Sequence, residues 1–573
     1  MDNGPLLSIE DLSVAFATDE GIVPAVKNLN MQIGRSQSMG LVGESGSGKS
    51  VTALAIMRLL SRSSARVQSG RIWFAHPTKG KIDLLALGEK DMQAIRGNHI
   101  SMIFQEPMTS LNPVKRCGFQ VQETLVWHQI AHERDARKRV ISLFEEVRLP
   151  DPEKAFRAWP HELSGGQKQR VMIAMAMACE PSLLIADEPT TALDVTVQKA
   201  ILELMLGLKQ KHGMSILFIS HDLGVIGEVA SVASVMLNGE VVETGAVGRI
   251  LSGPSHPYTK ALIACRPGLG DRPGRLAVVG DFSDGRQGEE IPVSEPRELR
   301  HARIYSVPPV LEVSDLKTEF VTDRNFLGKP LSVFRAVDSI SFDVYQGETL
   351  GLVGESGCGK TSLGRSIMRL IEPSGGRVVY KGQDLSLLSR SALRKLRPRF
   401  QIIFQDPYAS LTPGIQIGKA LMEPMQVHGI LGNDKERKNR IMELLERVNL
   451  EQRHFYRYPH EFSGGQRQRI CIARALALNP EFIVCDESVS ALDVSVQAQV
   501  LNLLNEMKTA FNLTYLFISH DLSVVKYMSD RIIVMKDGRM VELAEADQLY
   551  RSSRNDYTRR LFGSIPGTVP VSL

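Results

Sequence analysis

Two short stretches combine the residue types and the spacing that can hold the phosphates of a nucleotide. Both follow the pattern G-x-x-x-x-G-K-[ST]. Glycines let successive backbone N–H groups point at phosphate oxygens, and a following helix adds the positive end of its dipole. Lys49 and Lys360 would bridge the β- and γ-phosphates of ATP, and the hydroxyls of Ser50 and Thr361 would bind Mg²⁺. The predicted phosphate loops are Gly43, Glu44, Ser45, Gly46, Ser47, Gly48, Lys49 and Ser50, and Gly354, Glu355, Ser356, Gly357, Cys358, Gly359, Lys360 and Thr361.

The elements around these loops decide between a phosphate site and a chance glycine-rich turn. The mechanism requires a strand before the loop and a helix after it. Short apolar strands are predicted over Met39–Val42 and Leu350–Val353. Apolar residues at helical spacing follow over Val51–Leu60 and Ser362–Leu370. The repeated context favours phosphate binding.

An acidic pair follows a second apolar run in each half of the chain. Leu183–Ala186 leads into Asp187–Glu188, and Phe482–Cys485 leads into Asp486–Glu487. Wholly apolar short runs are typical of strands buried in a parallel sheet, which offers ligands its carboxyl ends. The first acid of each pair would hold Mg²⁺, and the second would orient the water that attacks the γ-phosphate. A helix cap or solvated charges are the alternative, which the recurrence in one setting disfavours.

The chain contains two copies of one domain. The two phosphate loops lie 311 residues apart, whereas the acidic pairs lie 299 residues apart. The first copy therefore carries 12 extra residues, which we place in a longer hairpin around His76–Gly80. The predicted boundaries are a first domain over 1–268, a linker rich in turn residues over 269–309, and a second domain over 310–573.

Composition limits the class of protein. A chain of 573 residues is long enough for two or more domains, and 43% hydrophobic with 23% charged residues is ordinary for a folded chain. Its net charge of +4 gives no argument for nucleic acid, and its six cysteines form no C-x-x-C pair. The start lacks a secretory leader, and no apolar run approaches the roughly 18 residues of a membrane helix. A reduced, cytoplasmic chain is expected.

With these residues in place, the chain resembles ABC-type ATPases over nearly its whole length. Ser164, Gly165, Gly166 and Gln167, and likewise Ser463, Gly464, Gly465 and Gln466, resemble the signature sequence of that family. The resemblance implies an α/β fold with two P-loop NTPase domains in tandem. Each would have a mostly parallel sheet core, an antiparallel β subdomain and a helical subdomain. It also implies head-to-tail pairing of the two domains within the chain, with each signature reaching the γ-phosphate bound to the other domain.

Further site residues are implied by the same resemblance. Gln105 and Gln405 match the glutamine that senses Mg²⁺ and the membrane partner. His221 and His520 match the histidine that contacts the γ-phosphate, although a lone histidine is more often a satisfied strand-end residue. The remaining matches are the coupling-loop residues Asp194 and Asp493 and the adenine-stacking candidates Phe16 and Phe320, either of which could be core. Copy two departs from the pattern at Phe462 and Ser488, which removes no phosphate, metal or water contact.

The trailing segments indicate the kind of ABC protein. Ser255–Leu262, which contains His-Pro-Tyr-Thr, resembles the segment after the ATPase domain of oligopeptide, dipeptide and nickel importers, and Asn555–Leu561 is a degraded version. Fused pairs occur among peptide and glutathione importers of this type. The resemblance implies an ATP-hydrolysing, energy-coupling subunit, peripheral at the cytoplasmic face of the inner membrane. Its partners would be two transmembrane permeases and, through them, an extracytoplasmic substrate-binding protein.

Two other twin-ATPase classes remain as alternatives. A translation factor acting on the ribosome would carry a long charged linker and many phosphate-facing Lys and Arg, whereas this linker is rich in Pro and Gly. A DNA-repair ATPase would carry zinc-type cysteine pairs. No nucleic-acid partner is therefore expected, and ATP with Mg²⁺ is the expected cofactor set.

Overall fold

The computed structural model describes residues 4–18, 21–61, 63–105, 110–190, 193–270, 272–283, 296–324, 330–490 and 492–565. The contacts between Cα atoms divide them into two compact units. The first comprises the described residues up to Ile263 with Phe282 and Ser283. The second comprises Ala264–Asp281 and the described residues from 296 to Ile565. Over the described residues, no helix combines the length and the apolar composition needed to cross a bilayer.

Each unit contains a six-stranded sheet in which five strands are parallel. Its strand order is β10-β9-β3-β8-β7-β6 in the first unit and β16-β17-β18-β13-β19-β20 in the second. The predicted fold class is confirmed, because central strands such as β3 and β7 are buried throughout, as expected when both faces of a sheet are covered. The strands are β3 (Ser38–Val42), β6 (Ile100–Ile103), β7 (Leu183–Asp187), β8 (Ser215–Ser220), β9 (Val232–Leu237), β10 (Glu240–Ala246), β13 (Thr349–Val353), β16 (Phe400–Ile403), β17 (Phe482–Asp486), β18 (Thr514–Ile518), β19 (Arg531–Lys536) and β20 (Arg539–Glu545).

A four-stranded antiparallel sheet packs beside each parallel one, in the order β2-β1-β4-β5 and β12-β11-β14-β15. The predicted longer hairpin of the first copy is confirmed, since β4 and β5 pair up to His76 opposite Gly80 whereas β14 and β15 are short. The strands are β1 (Leu7–Thr18), β2 (Gly21–Ile33), β4 (Ala65–His76), β5 (Gly80–Asp83), β11 (Leu311–Arg324), β12 (Pro330–Val344), β14 (Gly375–Tyr380) and β15 (Gln383–Asp384).

Helices cover the parallel sheets and form the third layer. In the first unit they span Lys49–Ile56, Glu89–Ile95, Cys117–Trp127, Glu133–Glu146, Pro152–Arg157, Gly165–Met177, Val195–His212, Leu223–Val229, Val247–Ser252 and Pro257–Ala264. In the second unit and the segment before it they span Gly280–Ser283, Arg297–Ile304, Lys360–Ile367, Arg390–Leu396, Ile417–Val427, Asp434–Arg447, Gly464–Leu476, Val494–Phe511, Leu522–Met528, Ala546–Ser552 and Asp556–Phe562.

The helices after the phosphate loops begin two residues earlier than their sequence pattern predicts. Gly48 and Gly359 take the N-cap position with φ near +100°, and the helices start at Lys49 and Lys360. Glycine is needed there because a Cβ on Gly48 would lie 2.5 Å from the Ala25 carbonyl oxygen. The lysine that would bind phosphate is therefore the first residue of its helix.

The segment between the two copies packs on the second unit where it is described. Leu276 is 2% exposed, and Asn502 accepts from its N–H and donates to its carbonyl oxygen, both at 2.9 Å. Helix Arg297–Ile304 brings Arg300 to 2.9 Å and His301 to 3.2 Å from the buried carboxylate of Asp530. The sequence boundaries stay predictions, but part of the proposed linker is ordered structure belonging to the second unit.

Candidate functional site

The first predicted phosphate loop joins the carboxyl end of β3 to helix Lys49–Ile56. Lys49 is 5% exposed, and its ammonium group donates to the carbonyl oxygens of Gly43 and Glu44, both at 2.7 Å. The lysine is thus folded back over its own loop. A buried ammonium held by neutral carbonyls keeps its charge available for an incoming anion.

The second loop repeats this arrangement at the end of β13. Lys360 donates to the carbonyl oxygens of Gly354 at 2.8 Å and Glu355 at 2.9 Å. Cys358 stands where the first loop has Ser47, and burial raises the pKa of its thiol. The two loops therefore share one geometry despite that difference.

The first acid of each pair ends its strand beside the loop hydroxyl, as predicted. Thr361 donates from its hydroxyl to the Asp486 carboxylate at 2.9 Å, and Ser50 bonds Asp187 in the same way. Burial raises the pKa of Asp187 and of Asp486. One carboxylate oxygen of Asp187 is buried without a hydrogen-bond partner. A hydroxyl beside a buried, partly unpaired carboxylate is a donor set that suits Mg²⁺.

The second acid of each pair sits in a strained backbone conformation. Glu188 has φ +48° and Glu487 has φ +49°, in the left-handed region that a glutamate rarely adopts. Each backbone is held by a hydrogen bond to the neighbouring strand. The N–H of Glu188 donates to the carbonyl oxygen of Ile219, and the N–H of Glu487 donates to that of Ile518, both at 2.9 Å. Such strain is typical of functional positions.

A histidine and a glutamine converge on each of these glutamates. In the first unit, His221 Nδ1 lies 3.2 Å from Glu188 Oε1, and Gln105 Nε2 donates to Glu188 Oε2 at 3.2 Å. In the second, His520 lies 3.4 Å from Glu487 and Gln405 donates to it at 2.7 Å. Within each unit, the structure thus brings together the glutamate, the glutamine and the histidine that the sequence analysis singled out.

The electrostatics of Glu487 favour an ionised carboxylate. Burial opposes ionisation, but the hydrogen bond from His520 and the charge of Lys360 outweigh it and hold the pKa of Glu487 below its ordinary value. Asp486 beside it has a raised pKa because of burial. Two adjacent carboxyl groups with opposite shifts are suited to two different tasks.

The predicted signature residues begin a helix in both units. Ser164 accepts at its hydroxyl from the Gln167 N–H at 3.3 Å, and Gln167 Oε1 accepts from the Ser164 N–H at 3.0 Å. Ser463 and Gln466 form the same capping box at 3.3 and 3.1 Å. Each serine is therefore the N-cap of its helix, and the N-terminus of that helix favours anions.

The other predicted positions differ in how they are held. Asp194 caps helix Val195–His212 and accepts from the Val197 N–H at 3.0 Å, whereas Asp493 makes no side-chain cap. Phe16 lies half-buried in β1, and Phe320 lies in β11 with 39% of its surface exposed. Adenine stacking by either ring stays a prediction.

Sequence reasoning missed one contact to each phosphate loop. The Glu44 N–H donates to the hydroxyl of Tyr258 at 3.1 Å, and the Glu355 N–H donates to the hydroxyl of Tyr557 at 3.3 Å. Both tyrosines lie in the trailing segments that the sequence analysis had singled out. Recurrence of the tyrosine at one place in both copies was the signal that could have found it.

Comparisons with known proteins show which family the chain resembles. The family model described as "ABC transporter" matches residues 26–191 and 337–490, and the model described as "Oligopeptide/dipeptide transporter, C-terminal region" matches 242–281. The chain is 45% identical over 575 aligned residues to proteins named glutathione import ATP-binding protein GsiA in Escherichia coli O157:H7, Escherichia coli K12 and Shigella flexneri. The alignments cover 100% of this chain and 91% of each relative.

Among solved structures, a dimeric ATP-binding cassette, MJ0796, bound to ADP and Pi matches at 26% identity with a TM-score of 0.38. The match covers 41% of this chain and 98% of that one. The extent of the family match and of the full-length relatives places the chain in a family. It belongs to the ABC transporter family, as a chain with two ATP-binding units in tandem. It is an ATPase of the type coupled to transport.

Proposed function

We propose that the chain is the ATP-hydrolysing subunit of an importer for peptides, with glutathione as the first cargo to test. Full-length similarity to the glutathione import ATP-binding proteins carries this proposal, because the alignment spans both units and the segment between them. Residues 242–281, which include the first trailing segment, support it, since they match a region described for oligopeptide and dipeptide transporters.

Two ATP sites are proposed, one per phosphate loop, each with Mg²⁺. Ser50 with Asp187 and Thr361 with Asp486 would hold the metal, aided by Gln105 and Gln405. The unpaired buried oxygen of Asp187 supports this set. Bound Mg²⁺ would neutralise charge on the β- and γ-phosphates. Lys49 and Lys360 would leave their carbonyl partners for the phosphate oxygens.

Glu188 and Glu487 are proposed to orient and polarise the attacking water. The strained backbone aims each carboxylate, and two neighbours hold it there, a glutamine amide and a histidine ring. The low pKa of Glu487 keeps its carboxylate ready to accept a hydrogen bond from water. His221 and His520, already beside the glutamates, would contact the γ-phosphate.

Closure of the two units is proposed to complete the sites. Ser164–Gln167 and Ser463–Gln466 present helix N-termini that suit a γ-phosphate, and each would serve the ATP bound by the other unit. Hydrolysis is then gated by closure, which would drive two transmembrane permeases at the cytoplasmic face of the membrane. An extracytoplasmic binding protein would deliver the cargo to those permeases.

An uptake assay tests this function. Cells lacking the chain are complemented with the wild type or with the double variant E188Q/E487Q, and uptake of labelled glutathione and of a labelled dipeptide is measured. The proposal expects ATP-dependent uptake of at least one cargo with the wild type and none with the variant. Equal uptake of both cargoes with wild type, variant and empty vector would overturn it.

A further inference from the structure

The tyrosines of the trailing segments contact the phosphate loops at a specific peptide group. The Gly43 carbonyl oxygen and the Glu44 N–H belong to one peptide unit, and the two groups point in opposite directions because a trans peptide is planar. Lys49 donates to that carbonyl at 2.7 Å, and the hydroxyl of Tyr258 accepts from that N–H at 3.1 Å. One peptide group is therefore held from both sides.

The second unit repeats this arrangement. Lys360 donates to the Gly354 carbonyl oxygen at 2.8 Å, and the hydroxyl of Tyr557 accepts from the Glu355 N–H at 3.3 Å. The tyrosines are 4% and 8% exposed, so neither ring is free to leave its place. The arrangement has been kept in two copies whose trailing segments differ in sequence.

A fixed turn places the first tyrosine. Glu243 on β10 accepts from the N–H groups of Ser255 at 2.8 Å and His256 at 3.0 Å. His256 Nδ1 in turn accepts from the N–H of Tyr258 at 3.2 Å, and Pro257 begins the helix. In this segment His256 thus caps the helix and Pro257 is its first residue, while Tyr258 contacts the phosphate loop.

The second unit builds the same turn from other residues. Glu542 on β20 accepts from the N–H groups of Arg554 at 2.9 Å and Asn555 at 3.4 Å. Asn555 accepts from the N–H of Tyr557 at 2.8 Å, the contact that His256 makes in the first unit. Asn555 replaces His256 as the acceptor, whereas the tyrosine is present in both units. Both segments therefore place a tyrosine at the same position beside the phosphate loop.

We propose that Tyr258 and Tyr557 are positioning residues of the ATP sites, an inference that rests on the proposed nucleotide function of both loops. Each hydroxyl fixes the first peptide group of its loop. The loop then keeps its shape when the lysine moves from the carbonyl to a phosphate. Without the hydroxyl that peptide group rotates more freely, and ATP binding must order it. Each tyrosine acts on the loop of its own unit.

Tyrosine-to-phenylalanine variants in single-site backgrounds test the inference. In the K360A chain, ATP binding reports the first site, and in the K49A chain it reports the second. Y258F should raise the dissociation constant for ATP about three- to tenfold in K360A, the effect of one lost hydrogen bond. Y557F should do so only in K49A. Amide hydrogen exchange in the loop peptide over 43–50 should become faster in Y258F.

The control is Y515F, which removes another buried tyrosine hydroxyl, one that donates to the Leu504 carbonyl oxygen at 3.0 Å. It should lower the melting temperature and leave ATP affinity unchanged. The inference is overturned if the loop tyrosine variants behave like this control, or if each changes both sites equally. Persistence of two-site binding in K49A and K360A would instead overturn the proposed ATP sites themselves.

Discussion

Nδ1 of His221 lies 3.2 Å from the carboxylate of Glu188. The backbone of Glu188 itself is held in a left-handed conformation. His520 and Glu487 repeat the pair at 3.4 Å with the same backbone strain. The repetition shows that both units keep the same arrangement around the glutamate. We therefore expect both proposed sites to hydrolyse ATP.

E188Q and E487Q should each strongly lower ATP turnover while sparing ATP binding. An amide keeps the shape of the side chain but cannot polarise water, and loss of a general base costs about 100-fold or more at the affected site. Steady-state ATPase rates and equilibrium ATP binding measure the two effects. Wild-type hydrolysis in either variant would contradict the assignment of that site.

D187N should stabilise the nucleotide-free chain. Burial raises the pKa of Asp187, so the native state favours the protonated carboxyl group. The stability that this gives is complete below the unfolded pKa and is lost as the pH rises through the raised native pKa, where the buried carboxylate ionises. At pH 7, without Mg²⁺ or ATP, the melting temperature of the first unit should therefore rise, because the amide carries no charge into the buried position. The gain should shrink as the pH falls toward 4.

A lower melting temperature for D187N at pH 7 would contradict this reasoning. S50A is the matched control, since it removes the hydroxyl that bonds the same carboxylate and leaves the charge in place. It should not stabilise the chain.

G465A and G464A should differ in stability although they are neighbours in the signature. A Cβ on Gly465 would lie 2.2 Å from Val496 Cγ1, whereas a Cβ on Gly464 meets no atom closer than 3.9 Å. Overpacking of this kind costs about 1–3 kcal/mol. Chemical denaturation should show that loss for G465A and little change for G464A, and equal effects would refute the packing argument.

Of these variants, D530N should lower the free energy of unfolding of the second unit most. Asp530 is 2% exposed and faces Lys508, Arg300 and His301. Burial opposes its ionisation, but Lys508, His301 and Arg300 hold the pKa of Asp530 far below its usual value. Breaking a buried pair costs about 3–5 kcal/mol.

The pH dependence of D530N follows from the depressed pKa. The carboxylate stabilises the native state above its unfolded pKa near 4, and that stability is lost as the pH falls below it toward the native value. The difference between wild type and D530N in denaturant unfolding should therefore be full at pH 7 and diminish below pH 4. D547N, at a side chain 28% exposed, should cost less.

The phosphate loops and acidic pairs could be predicted because their chemistry needs fixed residue types at short spacing. The left-handed conformation of Glu188 could not, because glutamate has no local preference for it and its N–H donates to the carbonyl oxygen of Ile219 on another strand. The contact of Tyr258 with Glu44 spans 214 residues and depends on the fold. Helix Arg297–Ile304 was missed because its arginines are ordered by the carboxylates of the second unit.

Copurification tests the central claim, that this chain supplies ATP-driven motion to membrane permeases. The tagged E188Q/E487Q chain is purified in detergent from its native cells with ATP present, and its partners are identified by mass spectrometry. The account predicts two multi-span permeases in the eluate, depleted when K49A/K360A replaces the bait. Ribosomal proteins without permeases would contradict it and favour a translation factor.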